Sequence, residues 1–182
     1  MYNNLQNSNF SCADYTIMNH QGLDMTMQID DWIVKMESAR NRLNTAMEKV
    51  TPHAEIYPAW SLKQLLDHIT GWDELLATSF HAHSRGETSE MLVDRGIDRY
   101  NRESIIARKD LSLESSRKAY DEARVEVLQE LHAMPLEKCA EKFQSPWGDL
   151  CSIASVLKIF ISHEMDHADH IEESLIKPEK AE

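Results

Sequence analysis

Glycine and proline are scarce in this chain, five of each in 182 residues, and that argues against a loop-rich all-β fold. No apolar run approaches the roughly 18 residues that a membrane-spanning helix needs. The first ten residues, MYNNLQNSNF, lack both the positive start and the apolar core of a signal peptide. The three cysteines, Cys12, Cys139 and Cys151, are odd in number and show no C-x-x-C spacing, so no disulfide framework is expected. These absences favour a cytoplasmic protein. Positive charge is short as well: 19 Lys and Arg stand against 31 Asp and Glu, a net charge of −12. That sign disfavours nucleic acid, whose binding proteins neutralise phosphate with basic patches. It equally disfavours docking on an anionic membrane. Internal repeats and low-complexity segments are also lacking.

What remains is ordinary for a globular protein, with 42% hydrophobic and 27% charged residues in a length suited to one domain. Residues 1–27 are Asn-, Gln- and Met-rich without sustained periodicity, and read as a loosely docked extension. Residues 28–176 carry helical periodicity, and 177–182 form a charged tail. A first helix is expected from Ile29 to Lys49, with Trp32, Met36, Ala39, Leu43, Ala46 and Val50 on its apolar stripe. Ser61 and Gln64 have the spacing of a capping box and open a second helix to about Phe80. Residues 81–97, with His81, His83 and Gly86, read as an irregular or partly helical crossover, followed by a short helix between Gly96 and Asp110. Ser112 caps a third long helix to about His132, ended by Pro135. After a connector from Leu136 to Gly148, the only place where the pattern leaves room for a short strand, Asp149 or Ser152 caps the last helix. Four long amphipathic helices without strand alternation predict an all-α four-helix bundle.

The last helix, Ile153 to Leu175, changes character halfway. Ile153, Val156, Leu157, Phe160 and Ile161 form a core stripe, which His163, His167 and His170 then continue. Residues four apart share a helix face, about 5–6 Å between Cβ atoms, so His163 and His167 can reach one metal ion. His68 lies within the stripe of the second helix. A bundle can bring it across the core to the other two. Three neutral imidazoles suit a divalent transition metal (Zn, Ni, Fe or Mn) and leave coordination positions open. Solvated or hydrogen-bonded histidines are the plainer alternative.

The same letters, His163-Glu164-Met165-Asp166-His167, spell H-E-x-x-H, a metalloprotease signature with Glu as base. His170 stands where the extended pattern has Gly, and Glu173 stands where it has its last His. In a bundle Glu164 is expected to point away from the site and lie peripherally. A di-iron carboxylate bundle needs two Glu-x-x-His motifs, and Glu164-x-x-His167 is the only one here.

Two segments carry a family resemblance. Trp60-Ser61 leading into His68-Ile69-Thr70-Gly71-Trp72 is one, and His163-x-x-x-His167 followed by Ile171 is the other. Asp98-Arg99-Tyr100-Asn101 and Pro146-Trp147-Gly148 add to them. Over Ile29 to Leu175 the chain resembles the DinB/YfiT-like superfamily of metal-binding four-helix bundles. The resemblance implies a DinB-like topology with a long crossover between helices 2 and 3. It also implies a metal triad of His68, His163 and His167, with His170 outside it, where many members have Gln.

Members of that family include thiol-dependent S-transferases and isomerases and a hydrolase. The expected function is therefore a divalent-metal enzyme acting on a small molecule, by thiol S-transfer or hydrolysis. The open coordination positions would take water or a low-molecular-weight thiolate, and no further catalytic residue is assigned. Trp72 and Tyr120 are candidates to line the pocket, with core packing as the plainer role for each. The alternative is a non-catalytic bundle with structural metal or none, used for small-molecule binding or protection. The apolar helix faces permit a homodimer without requiring one.

Overall fold

The computed structural model describes residues 22–89 and 96–176, with side chains on the first helix described from 29 onward. The expected extension, as far as residue 21, and the expected tail lie outside the described residues. Helix α1 spans Gly22–Met47 and so begins ahead of the expected Ile29. An antiparallel hairpin of β1 (Glu55–Tyr57) and β2 (Trp60–Ser61) follows, in a connector where the sequence pattern predicts no strand. Helix α2 spans Leu62–Ser84, α3 Ile97–Ala107 and α4 Leu113–Ala133. The second connector holds α5 (Leu136–Ala140) and a minimal hairpin of β3 (Phe143–Gln144) and β4 (Leu150–Cys151). Helix α6, Ile153–Ile176, completes the bundle. The crossover between the second and third long helices, α2 and α4, carries α3.

Local signals set most of these limits. Gln64 Oε1 accepts from the backbone N–H of Ser61 at 2.8 Å, which is the backward half of a capping box. Ser112 and Ser152 each accept from the N–H three residues on, at 3.1 and 3.2 Å, so Ser152 caps α6. Helix α2 continues past Phe80 because His83 is buried, stacks on Phe143 and donates from Nε2 to the Lys138 carbonyl at 2.8 Å. It stops where Gly86 adopts φ +71°. There the N–H groups of Gly86 and Glu87 bond back to His83 and Ala82 at 3.0 and 2.9 Å, the arrangement of a Schellman stop. His81 and His83 thus lie on the last turn of α2, the helical part of the expected crossover.

In the bundle α1 packs chiefly on α6 and α2 on α4, with α3 laid across α2. The interior has two apolar clusters. One holds Met36, Trp72, Leu76, Phe80, Val127, Leu131, Leu157 and Phe160. The other holds Leu43, Tyr57, Leu65, Ile69, Tyr120, Ala168 and Ile171. Between them every long helix inserts one charged side chain: Arg40 from α1, Asp73 from α2, Arg124 from α4 and Glu164 from α6. Their exposures are 6%, 0%, 6% and 2%. Arg40 bonds Asp73 at 2.7 Å and also Glu164, and Arg124 bonds Asp73 at 2.9 Å and also Glu164. The Arg40 guanidinium further lies over the Tyr120 ring, 3.9 Å from its centroid.

Helix α3 sits against the α2 backbone at Gly71. Tyr100 donates to the Gly71 carbonyl and Ser104 to that of Asp67. A Cβ at position 71 would fall 1.9 Å from Ser104 Oγ and 2.9 Å from Ser104 Cβ. A Gly-to-Ala change inside a helix ordinarily stabilises by about 0.5–1 kcal/mol. Here the sign reverses. Gly71→Ala is expected to cost roughly 1–3 kcal/mol through overpacking, read as a lower urea midpoint.

Candidate metal centre

His68 on α2 and His163 and His167 on α6 meet in the core. Nε2 of His163 lies 3.0 Å from Nε2 of His68 and 3.0 Å from Nε2 of His167. The three ligand nitrogens all fall within 4.8 Å of one another. The H-x-x-x-H spacing places His163 and His167 one turn apart on α6, and the α2 stripe turns His68 toward them. His68 and His167 are each 3% exposed, and His163 is half-buried.

Aromatic rings enclose the group. Trp60 lies 5.0 Å from His68, Trp72 6.4 Å from His163, and Tyr57 5.5 Å from His167, centroid to centroid. Tyr57 Oη is 2.7 Å from His167 Nδ1. Asn101 accepts from Trp72 Nε1 at 2.9 Å and bears on His68, favouring its protonated form against burial. Trp72 is a buried core residue at the edge of the group. Tyr120 is a core residue whose ring faces Arg40 rather than the histidines. His170 is not among the converging nitrogens. Its Nε2–H donates to the Ile56 carbonyl at 2.8 Å and its ring stacks on Tyr57 at 4.0 Å.

The donor set fits a divalent transition ion. Metal–imidazole bonds of about 2.0–2.1 Å place ligating nitrogens roughly 3 Å apart around one centre, which is the spacing seen for two of the three pairs. Such ligands must be neutral, and the environment keeps them so. Burial lowers the pKa of His68 and of His167 well below the ordinary 6.5, and the neighbouring imidazoles lower it further. For His163 burial dominates. Asp73 opposes the shift, Arg40 and Arg124 add to it, and the result is about 4.

Depressed imidazole pKa values fix a sign. Between the unfolded value of 6.5 and the folded value, the unfolded chain binds more protons than the folded one. Stability conferred by the neutral triad is complete above pH 6.5 and falls as pH drops, for His163 down to about 4. The loss is about 1.4 kcal/mol per pH unit for each imidazole. Metal-free protein should therefore show a falling urea midpoint from pH 7 to pH 5. His163→Gln should flatten that slope.

Glu164 departs from the expected peripheral position. It is buried and ion-paired to Arg40 and Arg124, so the H-E-x-x-H letters do not supply a base to the histidine site. Glu164→Gln leaves two buried guanidinium groups against one carboxylate. Breaking such a pair costs roughly 3–5 kcal/mol, which chemical denaturation will show.

Sequence reasoning passed over Arg40, Arg124, Asp73 and Tyr57. The first three did leave a signal. Arg40 falls four residues after Met36, Arg124 four after Tyr120 and Asp73 four after Ile69, all core-stripe positions carrying charge. Tyr57, in a three-residue strand, left none.

A bundle of long helices around three converging histidines defines a class of helical proteins with a candidate metal centre. The DinB superfamily model matches residues 35–171, and the chain belongs to that superfamily. No curated protein matches the sequence. Among solved structures, the chain is similar to the crystal structure of the mycothiol-dependent maleylpyruvate isomerase, with a TM-score of 0.68 and 12% identity. The likeness covers 79% of this chain and 60% of that one, so the chain spans less than two thirds of that structure, and at this identity the likeness is one of fold.

Proposed function

We propose that this protein is a divalent-metal-dependent enzyme acting on a small molecule, of thiol S-transfer or hydrolytic type, with His68, His163 and His167 as metal ligands. The observation that carries the reading is the convergence of three neutral imidazole nitrogens at 3.0 Å spacing in a buried setting. A bound ion would supply a positive centre that lowers the pKa of a water or thiol ligand and presents a nucleophile at neutral pH. The chain's own residues do the rest. His68 and His167 are buried, while His163 and Trp60 are half-buried, so a substrate would approach from their side. The fold likeness to a mycothiol-dependent isomerase supports the thiol branch over plain hydrolysis.

A second reading has one observation in its favour. The imidazoles are paired with each other, and His167 with Tyr57, which satisfies much of their polarity without an ion. This is the non-catalytic binding or protection bundle. Elemental analysis of protein purified without a histidine tag or chelator separates the two. The enzyme reading expects about one transition ion per chain, as one three-ligand site holds one ion. The ion should be lost in His68→Ala and in His163→Ala while the helical circular dichroism remains. Protein that binds nothing after exposure to Zn, Ni, Mn and Fe would leave the second reading standing.

A further inference from the structure

The hairpin ahead of α2 is too short to contribute much core, yet it places one phenol against the site. Tyr57 is 3% exposed, and its Oη lies 2.7 Å from Nδ1 of His167. Two contacts hold the ring there. His170 stacks on it at 4.0 Å with an interplanar angle of 17°, and the same imidazole donates to the carbonyl of the preceding residue, Ile56, at 2.8 Å. The turn closing the hairpin forces Ala59 to φ +67°, a backbone region that non-glycine residues seldom occupy. The chain accepts this conformation where Tyr57 and Trp60 meet the histidines, and backbone strain of this kind persists only where surrounding contacts determine it.

Nε2 of His167 faces the other two histidines. A neutral imidazole that gives Nε2 to an ion must carry its proton on Nδ1 and needs an acceptor there. Tyr57 Oη is the atom in that place. A phenol oxygen can accept such a bond, and at 2.7 Å from Nδ1 it is within hydrogen-bond distance.

We propose that Tyr57 is a positioning residue for His167, accepting from Nδ1–H and so keeping the Nε2 lone pair turned toward His68 and His163, with His170 clamping Tyr57 in place. The inference rests on the metal-site reading above. It also gives His170 a role, holding the residue that orients a ligand instead of acting as a ligand.

Tyr57→Phe keeps the buried ring and its stack on His170 and removes only the oxygen. Affinity for cobalt(II) and zinc(II), measured by chelator competition, should fall about 10–100-fold, as outer-shell losses do. The visible cobalt spectrum should change. The metal-free melting temperature should stay near that of the wild type, and long-range proton–nitrogen spectra should show His167 losing its uniform Nδ1–H form. Unchanged affinity and tautomer in Tyr57→Phe would overturn the proposal, as would lower melting with unchanged affinity. Should Tyr57→Phe fail to fold, His170→Gln is the second arm. It retains the phenol but removes the stack, a smaller loss of affinity is expected, and affinity equal to the wild type would count against the proposal. A wild-type protein that binds neither ion is a different result. It sinks the metal-site reading and this inference together, whereas failure of the inference alone leaves a wild type that binds.

Discussion

The bundle is organised around a four-membered layer of buried charge, with one member from each long helix. Arg40, Asp73, Arg124 and Glu164 alternate in sign around the core, and each acid is shared by both arginines. Taking such groups out of water costs several kcal/mol per ion, and their attraction repays it only with near-complete hydrogen bonding. Here the repayment is partial, since Arg40 Nε, Arg124 Nε and Glu164 Oε2 are buried without a hydrogen-bond partner among the described residues. The layer is therefore a weak source of net stability and a strong source of register. Sliding any helix by one turn would move a charge into one of the two apolar clusters and leave three charges unbalanced. Leucine-rich faces alone tolerate such slippage, because one apolar contact substitutes for another.

That register is what the histidines need. Asp73 follows Trp72 directly, and Glu164 follows His163, so fixing the charge layer fixes the heights of α2 and α6 beside it. It also sets the electrostatics. The two guanidinium groups oppose a proton on His163, while Asp73 partly offsets them. With burial as the main cause, the triad stays neutral far below the ordinary histidine range, the form that a soft or borderline metal ion requires. The Arg40 guanidinium remains charged despite its own burial, because Asp73 and Glu164 outweigh the desolvation.

Much of this was legible in the sequence. Helical periodicity gave the four long helices, Ser61, Ser112 and Ser152 marked three starts, and the His-x-x-x-His spacing on an apolar stripe identified the α6 half of the site. The rest was hidden for definite reasons. Periodicity assigns a residue to a face but not to a height relative to another helix, so charges at stripe positions could be seen singly and not paired. The β1–β2 hairpin escaped because its turn places Ala59 at positive φ, where a sequence reader looks for Gly or Asn. How far α2 runs past Phe80 was not legible because its last turn is held by tertiary contacts of His83 with Phe143 and Lys138, which no local pattern announces.

The fate of Glu164 shows why a motif acquires its meaning from the helix faces that surround it. On an α-helix neighbouring residues diverge by about 100°, so His163 and Glu164 cannot serve the same centre unless that centre lies between their directions. In this bundle the His163 direction leads to His68, and the Glu164 direction leads to Arg40 and Arg124. A metalloprotease needs its glutamate close to a water beside the ion, with a proton to exchange. Here both neighbours of the carboxylate are arginines in a buried layer, and their ion pairs keep it turned away from the histidines. The same five letters therefore divide their labour. The histidines build a candidate centre, and the glutamate fixes the height of the helix that carries them.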